Sequence, residues 1–391
     1  MAGIRALGAA AAVAALLVAT AGCAEKDTGG GTDESGPIAV GAILDITGAG
    51  ASLGVPERKT LELLTKKLND AGGINGRKLE LTVEDNQSTE DGAAKAMNQM
   101  VSKKVDLVIG ASRTGTSLAM RAIAETNELP MLSMAANVKV VDGAKWVFKT
   151  AQNDSAVLAN VVDYAKSKGW KTIGLARDSS AFGEGVAETL NSLGKADGIS
   201  VVATEKFAPD ATEFTAQMVN LRNAKADANL IWGIPPAAAL AQKTYKQLGI
   251  TAPVMQSHGI GNQVFLDTAG PAADGLIAPV GRLVVADQLP ANDPQKSVLT
   301  TFVNNYKAAY NETPSTFAGH AWDAFQLAVD AFKAVGTDKQ KVRDHLEQVK
   351  GFVGITGVFT MTPQDHSGLT KDALVIVTVD KGKWKVFEGS E

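Results

Sequence analysis

From residue 37 the chain alternates short strand-like apolar runs with stretches of helical periodicity. Ile38–Leu44 is an apolar run of strand length, and residues 78–84 alternate as a half-buried strand. Between them Pro56, tolerated in a first helical turn, opens a helix through Leu61, Leu63, Leu64 and Leu68 that stops at Gly72-Gly73. Ser88, with Asp91 three places on, predicts a capped start for the next helix. Residues 105–110 read as a strand, 116–126 as a helix and 130–133 as a fourth strand.

The pattern restarts after Trp146-Val147-Phe148-Lys149-Thr150. Helices are expected at 155–167, 184–194, 212–223 and 236–247, and strands at 171–177, 199–207, 228–233 and 253–257. The last third reads as helices at 294–310, 317–334 and 338–350, then strands near 356–361 and 373–387. Repeated strand–helix–strand units call for parallel sheets covered by helices on both faces. Two successive sets predict an α/β fold of two lobes, the late helices returning to the first and the final hairpin to the second.

The N-terminus follows different rules. Arg5 precedes a small and apolar run from Gly8 to Val18, ending in Ala19-Thr20-Ala21-Gly22. Residues 1–22 therefore look like a secretory signal peptide, the apolar stretch being at the short end for a membrane span. Cys23 follows at once, and Thr20-Ala21-Gly22-Cys23 resembles a bacterial lipobox in which the cysteine is acylated, although Thr20 replaces the usual leucine. A free or buried thiol is the alternative. Residues 24–36 carry no large apolar side chain and read as a tether, which would leave the body lipid-anchored outside a membrane.

Composition narrows the function. The chain has 391 residues and a formal net charge of −4, which argues against a nucleic-acid binder. One cysteine excludes an internal disulfide framework and any multi-cysteine metal site. The four histidines, at 258, 320, 345 and 366, are too scattered in sequence to suggest a histidine-rich metal centre. No metal and no cofactor is expected. Gly48-Ala49-Gly50-Ala51-Ser52-Leu53-Gly54 approaches a dinucleotide fingerprint, but its third glycine comes one residue late. Gly110-Ala111-Ser112-Arg113-Thr114 lacks the second glycine of a nucleophile elbow. Neither a phosphate-binding loop nor a His-Glu-x-x-His motif occurs, and the pairs Glu84/Asp85 and Glu90/Asp91 read as solvated loop residues. An exported hydrolase is thereby disfavoured.

Ligands of open α/β sheets sit beyond the carboxyl ends of the strands. Two loops there, Ser112-Arg113-Thr114-Gly115-Thr116-Ser117 and Ser133-Met134-Ala135-Ala136-Asn137, are rich in small hydroxyl or amide residues. Beside free helix N-terminal N–H groups they make a donor cluster suited to a carboxylate, plain helix capping being the alternative.

Residues Gly41–Gly48, the turn Gly72-Gly73-Ile74-Asn75-Gly76, Glu84-Asp85-Asn86 and Ala181-Phe182-Gly183-Glu184-Gly185 resemble the type I periplasmic binding proteins. Within them the closest likeness is to the branched-chain amino acid receptors of ABC importers, and it runs from about residue 37 to the end. The resemblance implies two Rossmann-like lobes joined by three crossovers, closing on a ligand as a hinged trap. It divides the chain as 37–152 plus 284–357 for lobe 1 and 153–283 plus 358–391 for lobe 2. It assigns the ligand carboxylate to Thr114 with Ser112 nearby, the backbone of Ala135 and the side chain of Asn137. Leu53 and Phe182 stand at aromatic wall positions, and Pro235 stands where the receptors carry a tyrosine. His258 stands where they carry the acid that pairs with the ligand's ammonium, and a neutral imidazole suits a hydroxyl or an anion better. The expectation is a monomeric, lipid-anchored solute receptor delivering a small carboxylate to an ABC permease. Branched-chain or hydrophobic amino acids are its default ligands, with aromatic or other non-amino acids as the alternative; a sensor using the same trap is a further one.

Overall fold

A run of apolar side chains makes β1 (Ile38–Leu44) a central strand. It pairs in parallel with β2 (Leu79–Asp85) on one side and β3 (Leu107–Gly110) on the other. With β4 (Met131–Ser133) and β5 (Val147–Lys149) they form a five-stranded parallel sheet in the order β2–β1–β3–β4–β5. The helices α1 (Ala51–Asp70), α2 (Glu90–Ser102) and α3 (Thr114–Thr126) connect the first four strands. The computed structural model describes residues 36–387, so the expected signal peptide, Cys23 and all but the last residue of the tether lie outside the described residues.

A second series follows: α4 (Asp154–Ser167), β6 (Thr172–Asp178), α5 (Val186–Gly194), β7 (Ser200–Phe207), α6 (Thr215–Ala224), β8 (Ala228–Trp232), α7 (Ala237–Gln247), β9 (Val254–Gln256), α8 (Gln263–Ala269) and β10 (Ile277–Gly281). After α9 (Lys296–Tyr310), α10 (Thr316–Val335) and α11 (Lys339–Leu346), β11 (Lys350–Val353) and β12 (Val358–Thr360) form a small hairpin. Then β13 (Leu374–Asp380) and β14 (Lys383–Val386) join the second sheet, whose order is β14–β13–β10–β9–β8–β6–β7. The expected two lobes of parallel sheet are present, with β13 and β14 as an antiparallel edge.

Each sheet is packed on both faces. In the first lobe Ile38, Val40 and Leu107 meet Phe325, Ala328 and Phe332 of α10 and Val342 and Leu346 of α11. On the other face Ile43 and Val108 meet Met97, Met100 and Met120 of α2 and α3. In the second lobe Leu175 and Leu230 meet Val157, Val161 and Leu190 of α4 and α5, while Ile231 faces Met218, Leu221, Tyr245 and Phe265. Burial on this scale, at about 1.5–3 kcal/mol for each large apolar side chain, is the main stabilising contribution to each lobe.

The crossings depart from the expected divisions. Phe359, Met361, Leu369 and Ala373 are buried with α10 and α11, so the last passage to the second sheet comes between Ala373 and Leu374 rather than at 357/358. Nor is 284 a clean boundary, because Leu299, Phe302 and Tyr306 of α9 pack with Phe265 and Ala278 of the second lobe. The far end of α9 reaches the first lobe: the Tyr310 hydroxyl donates to the Lys59 carbonyl at 2.7 Å and Lys59 pairs with Glu312 at 2.7 Å. The crossover strands are fastened together by buried side chains. Asp323 accepts from the amides of Ile355 (2.6 Å) and Thr356 (2.7 Å), Gln295 donates to the Gly354 carbonyl (2.8 Å) and Gln152 donates to the Thr356 carbonyl (3.0 Å).

Candidate functional site

The loop after β3 is held from below. Asp45, fully buried just beyond β1, accepts from the amides of Ser112 (3.0 Å) and Arg113 (3.2 Å) and from the Thr116 hydroxyl (3.3 Å). This turns the chain so that Thr114, Gly115 and Thr116 open α3 with no side-chain cap on its first turn. The Thr114 hydroxyl makes no hydrogen bond among the described residues. Free N–H groups and the helix dipole make such an end attractive to an anion. Ser112 is engaged elsewhere, bonded through its hydroxyl to Glu57. Burial raises the pKa of Glu57 well above the usual carboxylate value, and its second oxygen is unpartnered.

The facing wall belongs to the second lobe. Asp178, at the end of β6, accepts from the Ser180 amide (2.9 Å) and hydroxyl (2.6 Å). A Cβ at Gly183 would sit 2.0 Å from the Asp178 carbonyl oxygen, so only glycine lets the loop fold back here. That fold presents Phe182, whose ring lies 5.3 Å from Trp232 and 5.9 Å from His258. Burial raises the Asp178 pKa, while its turn hydrogen bonds and the charge of Arg113 across the cleft pull it down in part.

His258 heads a short turn after β9, where the Ser257 hydroxyl donates to the Gly233 carbonyl at 2.8 Å. His320 lies on α10 one turn beyond Phe317, and the two rings meet edge to face at 5.6 Å. The two histidines are 6% and 2% exposed, and neither ring forms a hydrogen bond among the described residues. Burial first, and then the charge of Lys149, pushes the His258 pKa down to about 3. His320 is also pushed down to about 3, by burial and by the nearness of His258 and Lys149. Both rings are therefore neutral. Lys149 is itself buried, donating to the carbonyls of Ala136 (2.9 Å) and Ala151 (2.8 Å) and to Asn153 (2.6 Å). Burial lowers its pKa and raises that of the neighbouring Asp154.

Between these walls lies a cavity of about 420 Å³. Of the expected site residues it brings together Leu53, Ser112, Thr114, Phe182 and His258. The other three do not line it. The Ala135 amide is turned to the Ser133 hydroxyl (3.1 Å). Asn137 caps Lys139 with its oxygen (2.9 Å) and donates across the cleft to the Ala181 carbonyl at 3.4 Å. The Pro235 carbonyl accepts from Ser52 of the opposite lobe at 3.0 Å. Two lining residues the sequence reading passed over are Phe317 and His320. Their spacing of three on a helix buried nearly all round made them look like core, and the polar His320 among apolar neighbours was the available signal. Leu53, Ile234 and Phe317 form a buried apolar cluster with Phe182 packed against it, and this cluster joins the lobes inside the cavity. Among the described residues no group of three or more His, Asp or Glu is placed to hold a metal ion.

The sequence profile of the family described as periplasmic binding protein matches residues 37–383. Leu/Ile/Val-binding protein homolog 1 of Brucella melitensis is 27% identical over 331 residues, covering 82% of this chain and 85% of its own. An extracellular ligand-binding receptor from Rhodopseudomonas palustris HaA2 has a TM-score of 0.85 at 28% identity, over 90% of this chain and 99% of the receptor. The branched-chain amino acid transporter substrate binding protein LivJ from Streptococcus pneumoniae, solved in complex with isoleucine, has a TM-score of 0.80 at 25% identity, over 90% of this chain and 98% of its own. These are binding proteins and receptors rather than enzymes. With two lobes around an enclosed cavity and a profile match along nearly its whole folded length, the chain belongs to the periplasmic binding protein family.

Proposed function

We propose that this protein is the receptor of an ABC importer, capturing a small carboxylate with an apolar body by closing its two lobes around it. The observation that carries this reading is the uncapped N-terminus of α3 with the Thr114 hydroxyl, set across about 420 Å³ from Leu53, Ile234, Phe317 and Phe182. Helix-end amides and a hydroxyl favour a carboxylate, and the apolar cluster favours a hydrocarbon body. Branched-chain and other hydrophobic amino acids have both parts, as do their non-amino counterparts. The relatives named for leucine, isoleucine and valine support the amino acids.

Thr114→Ala removes a hydrogen bond to a charged group and should raise the dissociation constant about ten- to a hundredfold. The ligand is found first by thermal shift with leucine, isoleucine, valine, phenylalanine, benzoate and phenylacetate, and the constants follow by calorimetry. An unchanged constant in the variant would sink the carboxylate assignment. The receptor is also proposed to be exported and held to the membrane by lipid on Cys23, supported by the lipobox-like Thr20-Ala21-Gly22-Cys23. Cys23→Ser should move the protein from the membrane fraction to the soluble fraction, and unaltered membrane retention would count against the anchor.

A further inference from the structure

Beyond the carboxylate cradle, the cavity carries a second polar feature. His258 and His320 come from different segments, a turn after β9 and the first turns of α10, yet both line this one cavity. Each is more than nine-tenths buried, and each has a buried Nδ1 with no hydrogen-bond partner. An unpaired buried polar group is costly in a folded protein and calls for a partner. A neutral imidazole offers one N–H and one lone pair. A hydroxyl can answer both, and an oxo group can answer the N–H. An ammonium carries donors only and seeks carboxylates or carbonyls.

The cavity has little to offer an ammonium. The carbonyls of Ala136 and Ala151, two residues of its lining, already accept from the ammonium of Lys149 at 2.9 and 2.8 Å. A second cation beside them would be repelled by the first. Asp178 lines the cavity too, but its Oδ1 holds the Ser180 turn and the charge of Arg113 already acts on it. Glu90 and Asp91 also line it, but both are exposed at the start of α2, where solvent weakens their pull on an ammonium. Asp154 is buried beside Lys149 and does not line the cavity.

We infer that His258 and His320 form a neutral imidazole pair that recognises an uncharged oxygen on the ligand, so that this receptor prefers hydroxy or oxo carboxylates to the corresponding amino acids. The inference rests on the carboxylate reading above. It makes the pair a specificity determinant and assigns the substrate class as small hydroxy or oxo acids with an apolar body.

Calorimetry on the full mature chain with two matched series tests it. One series is leucine, its hydroxy acid leucate, its oxo acid ketoleucine and the bare acid isocaproate. The other is phenylalanine, phenyllactate, phenylpyruvate and hydrocinnamate. Within a series the carboxylate and body are constant, so only the group offered to the histidines changes. In at least one series the hydroxy or oxo acid should bind about tenfold or more tighter than both the amino acid and the bare acid. His258→Phe and His320→Leu should each erase that advantage, and circular dichroism with thermal melting checks that each variant is folded. His258→Glu should turn the preference toward the amino acid. An amino acid that binds tightest in its series, or a preference that survives both single substitutions, overturns the inference and leaves the carboxylate reading standing. Silence from all eight compounds removes the carboxylate reading and this inference with it.

Discussion

Two histidines in a dry wall also leave a signature on stability. His258 and His320 have folded-state pKa values pushed down to about 3 by burial, with Lys149 and, for His320, His258 adding to it. Unfolded histidine titrates near 6.5, so the unfolded chain takes up protons that the folded one refuses. Their contribution is therefore complete above about pH 6.5 and is lost as the pH falls toward the folded value. At pH 5 the loss is about 2 kcal/mol per ring. Buried carboxyls with raised pKa values, such as Asp45, Glu57 and Asp323, act with the opposite sign over part of the same range. The informative quantity is thus a difference. Between pH 7 and pH 5 the melting temperature of the native protein should fall relative to that of a His258→Gln/His320→Gln variant. A gap that stays constant with pH would mean that the folded rings titrate normally.

At the scale of elements the hydrophobic pattern was a good guide where an apolar run or a helical period is sustained. Residues 38–44 read as a strand and form β1 over that span, and α7, α9 and α10 begin and end within two residues of their expected limits. The pattern failed where a residue answers to a distant partner. α1 begins at Ala51, five residues before Pro56, because Gly54 lets the helix approach the loop after β1. A Cβ there would lie 2.3 Å from the Asp45 carbonyl oxygen. The glycines that resembled a nucleotide fingerprint thus serve helix-to-strand packing. β10 was missed because Pro279 and Gly281 argue against a central strand, although it pairs with β13 along its whole length. Ser88 was expected to cap α2, yet Thr89 does so, and the Ser88 hydroxyl binds the Gly50 amide at 2.9 Å. Similar reasons govern the site. Thr114 lies in the hydroxyl-rich loop that the sequence places after its strand, and Leu53 was reached only through the family resemblance, whereas the contacts of Asn137 and Pro235 depend on what the other lobe brings opposite them.

At the scale of the whole molecule the two lobes meet across the cleft through polar and apolar contacts. Asn137 to Ala181 and Ser52 to Pro235 are side-chain hydrogen bonds between lobes, flanking the cluster of Leu53, Ile234, Phe317 and Phe182. Removing both by Ser52→Ala and Asn137→Ala leaves the cavity lining intact and should speed ligand release about fivefold or more, at about 0.5–1.5 kcal/mol per bond. Trp232, tilted against Phe182 and edge-on to His258, provides the fluorescence signal for a stopped-flow measurement. An unchanged release rate would show that these contacts do not govern opening. The order of elements along the chain has a consequence of another kind. β1 lies inside its sheet, between β2 and β3, but the helix that covers its outer face, α10, arrives only after the entire parallel part of the second sheet has been made. The second sheet in turn waits for β13 and β14, the last strands of all. A chain emerging N-terminus first cannot seal either core until its synthesis is nearly finished, since both depend on contacts between residues far apart in sequence. Such a layout delays its own completion, which would suit the export proposed above.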